Sequence, residues 1–397
     1  MQLKRKLTRS AAAVISAALL AMFGAAGYYS RHLPSDFTAE AGTGLSLACY
    51  PEISCSGGAP EGDTATLSLF GAIPVKNVEI HRREAPVLSA GGAPFGIKLL
   101  MEGVMVTGLG QVKTDSGTCC PAAEAGVETG DVIKSAGGAP ISSNAQLQAA
   151  IAARKGQTVD LEIDRGGADI RLTIQPALAS SDGCWHGGMW VRDSIAGIGT
   201  MTFIDKSTGA FAGLGHPICD SDTGGLVPLH SGEAVPVEIT DAQAGEKGIP
   251  GELRGKFGSG APYGALTKNS SSGIYGTLTN SARDALCTGE EYKLGYRQEV
   301  TEGQAYIRTT ISGDRPRLYT AEIEKVDYSD ESSPKNMVIR ITDPELLDAV
   351  GGIVQGMSGS PVIQNGKLIG AVTHVFVADP TRGYGIFAET MLSQMQQ

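Results

Sequence analysis

The segment Gln355-Gly-Met-Ser-Gly-Ser-Pro361 is the part of the sequence best suited to chemistry. A serine hydroxyl is a poor nucleophile until a base takes its proton and the oxyanion of the transition state is caged. Gly356 and Gly359 flank Ser358 and permit a turn tight enough to aim successive backbone N–H groups into one small space. The plain alternative is a Gly/Ser-rich hairpin, which a chain with 54 glycines can produce by chance. The base must be a histidine, because imidazole exchanges a proton near neutral pH. Of six histidines, His216 stands in the Gly-flanked stretch Ala212-Gly-Leu-Gly-His216-Pro-Ile upstream of the serine, and His374 is its competitor. Asp343, fifteen residues before Ser358, offers the acid that would orient an imidazole. The same residue also reads as the N-cap of a helix over 344–349, with Pro344 at its first position.

The elements that must hold these groups are mainly β. Short strand-like runs recur after residue 184, among them Met189–Arg192, Gly199–Ile204, Met337–Ile341 and Leu368–Val377, and glycines between 248 and 280 predict turns and hairpins. About 215 residues of this kind suit a double β-barrel or a large sandwich. Ahead of them, residues 95–177 read as a compact α+β module. Gly96–Leu100 and Gly103–Thr107 are two strands separated by a turn. Pro121–Gly126 is a single helical turn closed by glycine, Ser142–Asn144 caps a helix to Arg154, and Thr158–Ile163 and Asp169–Ile174 alternate as half-buried strands. Residues 31–94 read as a polar linker with one leading β segment, Thr64–Phe70.

The 397 residues carry a net charge of −10 and, beyond the N-terminus, no basic run, which argues against sequence-independent nucleic-acid binding and for a protein or peptide partner. Lys4, Arg5, Lys6 and Arg9 precede an uncharged run from Ala11 to Tyr29, the pattern of a signal peptide or membrane anchor over residues 1–30. The seven cysteines include no Cys-x-x-Cys pair, so no metal site and no cofactor are expected. Cys49 and Cys55 are close enough in sequence to bridge, and free thiols are the simpler expectation.

Three resemblances sharpen this reading. The order of elements over 95–177, and above all Pro121-Ala-Ala-Glu-Ala-Gly-Val-Glu-Thr-Gly-Asp-Val-Ile133, resembles a PDZ domain of bacterial proteases. The resemblance implies that Phe95, Gly96 and Ile97 form the loop receiving a peptide C-terminus. Gly-x-Ser-Gly-x-Pro resembles the nucleophile turn of chymotrypsin-like proteases, implying Ser358 as nucleophile and the N–H groups of Gly356 and Ser358 as oxyanion hole. The second half resembles the stage IV sporulation protein B family of serine peptidases in Trp190–Gly199, Gly213–His216, Ile341–Pro344, Gly351–Val362 and Gly370–Gly385. The anchor–PDZ–peptidase order is similar too.

That family implies a chymotrypsin-like peptidase domain over 184–397 with a His216–Asp343–Ser358 triad. Chymotrypsin-like enzymes carry their acid in the first barrel, so Asp343 is the least secure member, with Asp220 and Asp193 as alternatives. His374, sixteen residues after Ser358, falls where the strand lining the substrate pocket runs in such folds, which suggests recognition of a polar side chain; a buried structural histidine is the alternative. The family further implies export from the forespore into the space between the two spore membranes, self-cleavage, and cleavage of a membrane-bound regulator of an intramembrane protease, leading to activation of a late sigma factor. A catalytically silent PDZ scaffold of the envelope is the reading from another class.

Overall fold

A computed structural model describes residues 2–57, 63–287, 290–329 and 333–397, the side chains of 2–12 excepted. The chain opens on helix α1 (Gln2–His32), whose stretch Ala13–His32 is long and apolar enough to cross a membrane.

Two closed six-stranded barrels make up the peptidase half. The first joins β5 (Pro94–Leu109), β6 (Met189–Ile204), Ala210–Gly213, Gly273–Leu278, Gly264–Ser270 and β7 (Leu229–Gln243), each strand antiparallel to the next and β7 closing on β5. The second runs Gly303–Thr309, Arg317–Val326, Met337–Ile341, Asp379–Phe387, β8 (Lys367–Phe376) and Pro361–Gln364, and closes on its first strand. Val87–Ala90 pairs with β6 of the first barrel and with Glu291–Leu294, which extends the second. Closure leaves neither barrel an open edge. Phe95, Met201 and Phe211 fill the first; Ile307, Ile339 and Val372 fill the second. This is the double-barrel architecture expected from the spacing of short strands.

The PDZ unit sits beside the first barrel around its own core of Val104, Ile133, Leu147, Ile151 and Leu161. Its helix α2 (Asn144–Ala153) starts at Ser143, whose hydroxyl accepts the Gln146 N–H at 3.2 Å, as a capping serine should. Gly96–Leu100 and Gly103–Thr107, expected as two strands around a turn, instead lie on the single strand β5. Gly103 (φ +88°) absorbs the irregularity where a turn was expected, and β5 continues from the first barrel into the PDZ unit, paired with β6 on either side of a break between Leu100 and Met105.

Residues 31–94 are not a loose linker. Strands β1 (Asp36–Ala39), β2 (Ile53–Ser56), β3 (Thr64–Leu69) and β4 (Ile73–Arg82) form a sheet in the order β1-β4-β3-β2, with β1 parallel to β4. Leu33, Phe37, Leu67 and Ile80 share one apolar cluster with Val300, Tyr328 and Phe387 of the second barrel. An edge-to-face run of rings, Tyr29–Tyr50–Tyr328 at 5.6 and 5.5 Å, connects the end of α1 to that core. The apolar residues of this sheet are spread among Gly, Ser and Pro, which hid them from a periodicity reading. All seven cysteines are free thiols, Cys49 and Cys55 included.

Candidate active site and peptide groove

His216 follows strand Ala210–Gly213 of the first barrel, and Ser358 precedes strand Pro361–Gln364 of the second, so the two meet where the barrels abut. Both line a cavity of about 410 Å³ walled by Ile195, Ile198, Val354 and Val375.

The histidine is delivered by a strained approach. Leu214 has φ +66° and Gly215 φ +70°, and a Cβ on Gly215 would press on Ile386 and Thr373. A left-handed leucine persists only where its surroundings over-determine it. The His216 Nδ1 lies 2.8 Å from the Pro217 carbonyl oxygen. That bond fixes the proton on Nδ1 and leaves the Nε2 lone pair available as a base. Burial pushes the imidazole pKa below its usual value, against a smaller upward pull from the Pro217 carbonyl, so the ring is neutral at pH 7.

The serine loop hangs on Thr200 of β6. The Thr200 N–H donates to the Ser358 carbonyl at 3.0 Å, and its hydroxyl to the Gly356 carbonyl at 2.8 Å. With both carbonyls held there, the N–H groups of Gly356 and Ser358 donate to no acceptor among the described residues. Gly356 (φ +97°) and Gly359 (φ +96°) make the turn, and a Cβ on Gly359 would overlap the Thr200 carbonyl and the Leu214 nitrogen. The Ser358 hydroxyl donates to the Thr373 carbonyl at 2.7 Å. Ser360 is fully buried on Thr309 and Met357, so it is structural.

His374, on β8 beside Thr373, faces the same cavity, its ring centre 4.9 Å from that of His216. Its Nδ1 is buried and makes no hydrogen bond among the described residues. Burial first, then the proximity of His216 and Lys335, lowers its pKa to about 4.

Asp343 is not with them. One carboxylate oxygen accepts the N–H groups of Glu345 (3.0 Å) and Leu346 (3.3 Å) at the start of helix α3 (Pro344–Val350), and the other accepts the Thr320 N–H at 3.0 Å. The N-cap reading of this residue is the one realised, and the expected triad acid is corrected: a carboxylate committed to three backbone donors outside the cavity does not orient His216. Its two alternatives are occupied as well. Asp220 is buried against Arg192, and Asp193 accepts the Asn144 N–H at 2.9 Å. Among the described residues, the Pro217 carbonyl is the hydrogen-bond partner of His216.

Phe95, Gly96 and Ile97 are likewise corrected as the peptide-receiving loop. They lie inside β5, paired with Gly199, Ile198 and Gly197 on one side and with Pro236, Val235 and Ala234 on the other. A strand bonded on both sides has no edge to offer a peptide. Ile97 instead lines the cavity shared by Ser358 and His216.

An edge of the required kind begins at Gly187. A groove of about 420 Å³ runs between α2 and residues 186–191, bordered by Leu147, Ile151, Met189 and the largely exposed Trp190 (71%). The carbonyls of Gly187 and Gly188 are taken by the N–H groups of Ala122 and Gly110, while the N–H groups of both glycines donate to no acceptor among the described residues. The run Trp185-His-Gly-Gly-Met-Trp-Val191 carried the available signal, two glycines opening an alternating strand. Thr200 carried none, because a threonine in a strand is ordinary.

The family model described as SpoIVB peptidase S55 matches residues 183–392, and a PDZ domain model matches residues 98–175. No curated protein matches. Among solved structures, the PDZ domain of an SdrC-like protein from Listeria monocytogenes is 24% identical, covering 23% of this chain and 87% of its own, with a TM-score of 0.19. Protease Anisep from Arthrobacter nicotinovorans is 11% identical, covering 51% and 90%, with a TM-score of 0.31. The HtrA-type protease AlgW with a decapeptide is 13% identical, covering 59% and 54%, with a TM-score of 0.28.

Proposed function

Because the chain belongs to the SpoIVB peptidase S55 family, we propose that it is an exported serine endopeptidase acting through Ser358 and His216, with PDZ-guided choice of protein substrate. The carrying observation is the cavity at the barrel junction lined by Ser358, His216 and Gly356, where the Gly356 and Ser358 N–H groups donate to no acceptor among the described residues.

The Ser358 hydroxyl turns from the Thr373 carbonyl toward the cavity and attacks a peptide carbonyl carbon as His216 Nε2 takes its proton. The Gly356 and Ser358 N–H groups receive the oxyanion. His216 returns the proton to the leaving amine, and water repeats the sequence on the acyl-enzyme. The Pro217 carbonyl holds the ring through Nδ1, the orienting task a carboxylate performs elsewhere, but it brings no full negative charge to the imidazolium. His374 forms one wall of the substrate pocket, where its imidazole selects a polar group. The mostly aliphatic walls favour an apolar side chain beside it.

The finer biology rests on the family. The enzyme is exported from the forespore on α1, either anchored by it or released into the space between the spore membranes. There it cleaves itself and then a membrane-bound regulator of an intramembrane protease, signalling a late sigma factor. The peptide groove at Gly187–Val191 captures the C-terminus of a protein partner.

The test is expression of wild type, Ser358→Ala, His216→Ala and Ser360→Ala, with mass spectrometry of the N-terminus and fluorophosphonate labelling. Processing and labelling are expected to vanish in the first two variants and to persist in Ser360→Ala. Identical processing of all four chains with no label on Ser358 would overturn the peptidase mechanism.

A further inference from the structure

Strand β6 serves both sites. Met189–Arg192 forms the groove edge, paired on its other side with Leu109–Met105 of β5, while Ile195 and Ile198 wall the catalytic cavity and Thr200 holds the Ser358 loop. Between these stretches the pairing with β5 breaks at Arg192/Ser194. A break of this kind re-aims the side chains that flank it.

The two residues at the break point in different directions. Asp193 accepts the N–H of Asn144, the first residue of the groove helix α2, and the Ser194 hydroxyl. Arg192 forks into the loop that follows His216, donating to Asp220 and, at 2.7 Å, to Asp222. The Asp220 side chain has no exposure, and it also accepts the N–H groups of Asp222 and Thr223 at 3.0 Å each. A buried carboxylate that loses its cation is strongly penalised, so the loop's arrangement is tied to where Arg192 stands.

We propose that Arg192 is a positioning residue for the catalytic histidine, and that the Arg192–Asp193 break transmits the state of the peptide groove to the His216 loop. The proposal rests on the serine peptidase reading above. A peptide completing the sheet at Met189–Val191 favours one geometry of the break and thereby one placement of His216. By reciprocity, occupation of Ser358 alters the groove. Coupling of this class changes affinity or rate about 5- to 150-fold.

The two tryptophans of the chain report on the groove. Trp190 borders it, and the Trp185 carbonyl accepts a hydrogen bond from Gln148 on α2. The full chain in detergent micelles is reacted with a fluorophosphonate while tryptophan emission is followed. Wild type is expected to change emission with the time course of labelling. Arg192→Met is expected to label at least about 5-fold more slowly, through the inactivation rate constant and not the inhibitor's binding constant, with no change in emission. Arg192→Lys, which keeps the charge without the fork, is expected to recover part of both and serves as the folded reference should the methionine variant melt early. Labelling of wild type with unchanged emission, or either variant labelling at the wild-type rate with the emission change intact, would overturn the coupling. A wild type that takes no label overturns the peptidase reading, and the coupling with it.

Discussion

Replacing Asp343 separates a structural carboxylate from a catalytic one. Asp343→Ala removes the acceptor of three backbone N–H groups, those of Glu345, Leu346 and Thr320. Loss of the helix cap costs about 1 kcal/mol, and the Thr320 donor left without a partner adds about 1–2 kcal/mol. A total of about 2–3 kcal/mol should lower the melting temperature of a unit this size by roughly 5–10 °C. Asp343→Ser keeps a capping oxygen and should recover about half of that loss. The rate tells a different story. If Asp343 oriented His216, any replacement would reduce catalysis by about 10⁴-fold, the scale seen when a triad acid is neutralised. From its place at α3, the serine variant should label with a fluorophosphonate within a few-fold of wild type at 25 °C. The assay is labelling rate alongside thermal melting on the same preparations. A folded Asp343→Ser chain, melting within a few degrees of wild type yet labelling a thousand-fold more slowly, would refute this reasoning and restore the carboxylate to the triad.

Four further outcomes are expected. Gly359→Ala should abolish labelling and cost at least about 2 kcal/mol, because φ +96° and the overlap with Thr200 and Leu214 strain any side chain there; calorimetry and labelling read both effects. His216 and His374 have folded-state pKa values below that of a free imidazole, so the unfolded chain binds more protons as pH falls from about 6.5. Stability is therefore complete above about pH 6.5 and is lost toward the His374 value of about 4. His374→Gln should reduce the pH dependence of the melting temperature over that window, while labelling of wild type persists to lower pH than a free imidazole base would allow, because burial favours neutral His216. A peptide with an aliphatic C-terminal residue should quench tryptophan emission as the free acid and bind at least about ten-fold more weakly as the amide, with photo-crosslinks to Gly187–Val191 and none to Phe95–Ile97. Phe37→Ala, in the first strand of the N-terminal sheet and fully buried, should cost about 3–5 kcal/mol, whereas a linker position would leave the melting of the peptidase unchanged.

The local backbone around the candidate residues was readable before any coordinates. Glycines at 356 and 359 predict a tight turn around Ser358, and both stand at positive φ. His216 was distinguished by its Gly-Leu-Gly approach, and the approach proved to be strained backbone. The helix after Asp343 was legible from Pro344, and so was the capping role that displaced the catalytic one. The PDZ elements from Pro121 to Ile174 fell close to their expected positions, since each carries a local signal: a capping serine, a closing glycine, or strict alternation.

Local signals cannot say which strands pair. Phe95-Gly96-Ile97 has the composition of a peptide-binding loop, but β6 and β7 occupy both of its sides, and the free edge arises ninety residues later at Gly187. Of the N-terminal sheet only the strand at Thr64 was legible, because the apolar residues of the other three find their partners across the chain, on Val300, Tyr328 and Phe387. The sequence by itself determined the glycine turn around Ser358, the Gly-Leu-Gly approach to His216, the helix caps and the alternation that makes strands, because these depend on chemistry within a few residues. Tertiary structure alone decided which carboxylate stands near which imidazole, which strand keeps an open edge, and that one strand, β6, touches both the groove and the serine loop. Those depend on the register of long-range pairing, and the free energy that selects a register is spread over two closed barrels and written in no single segment.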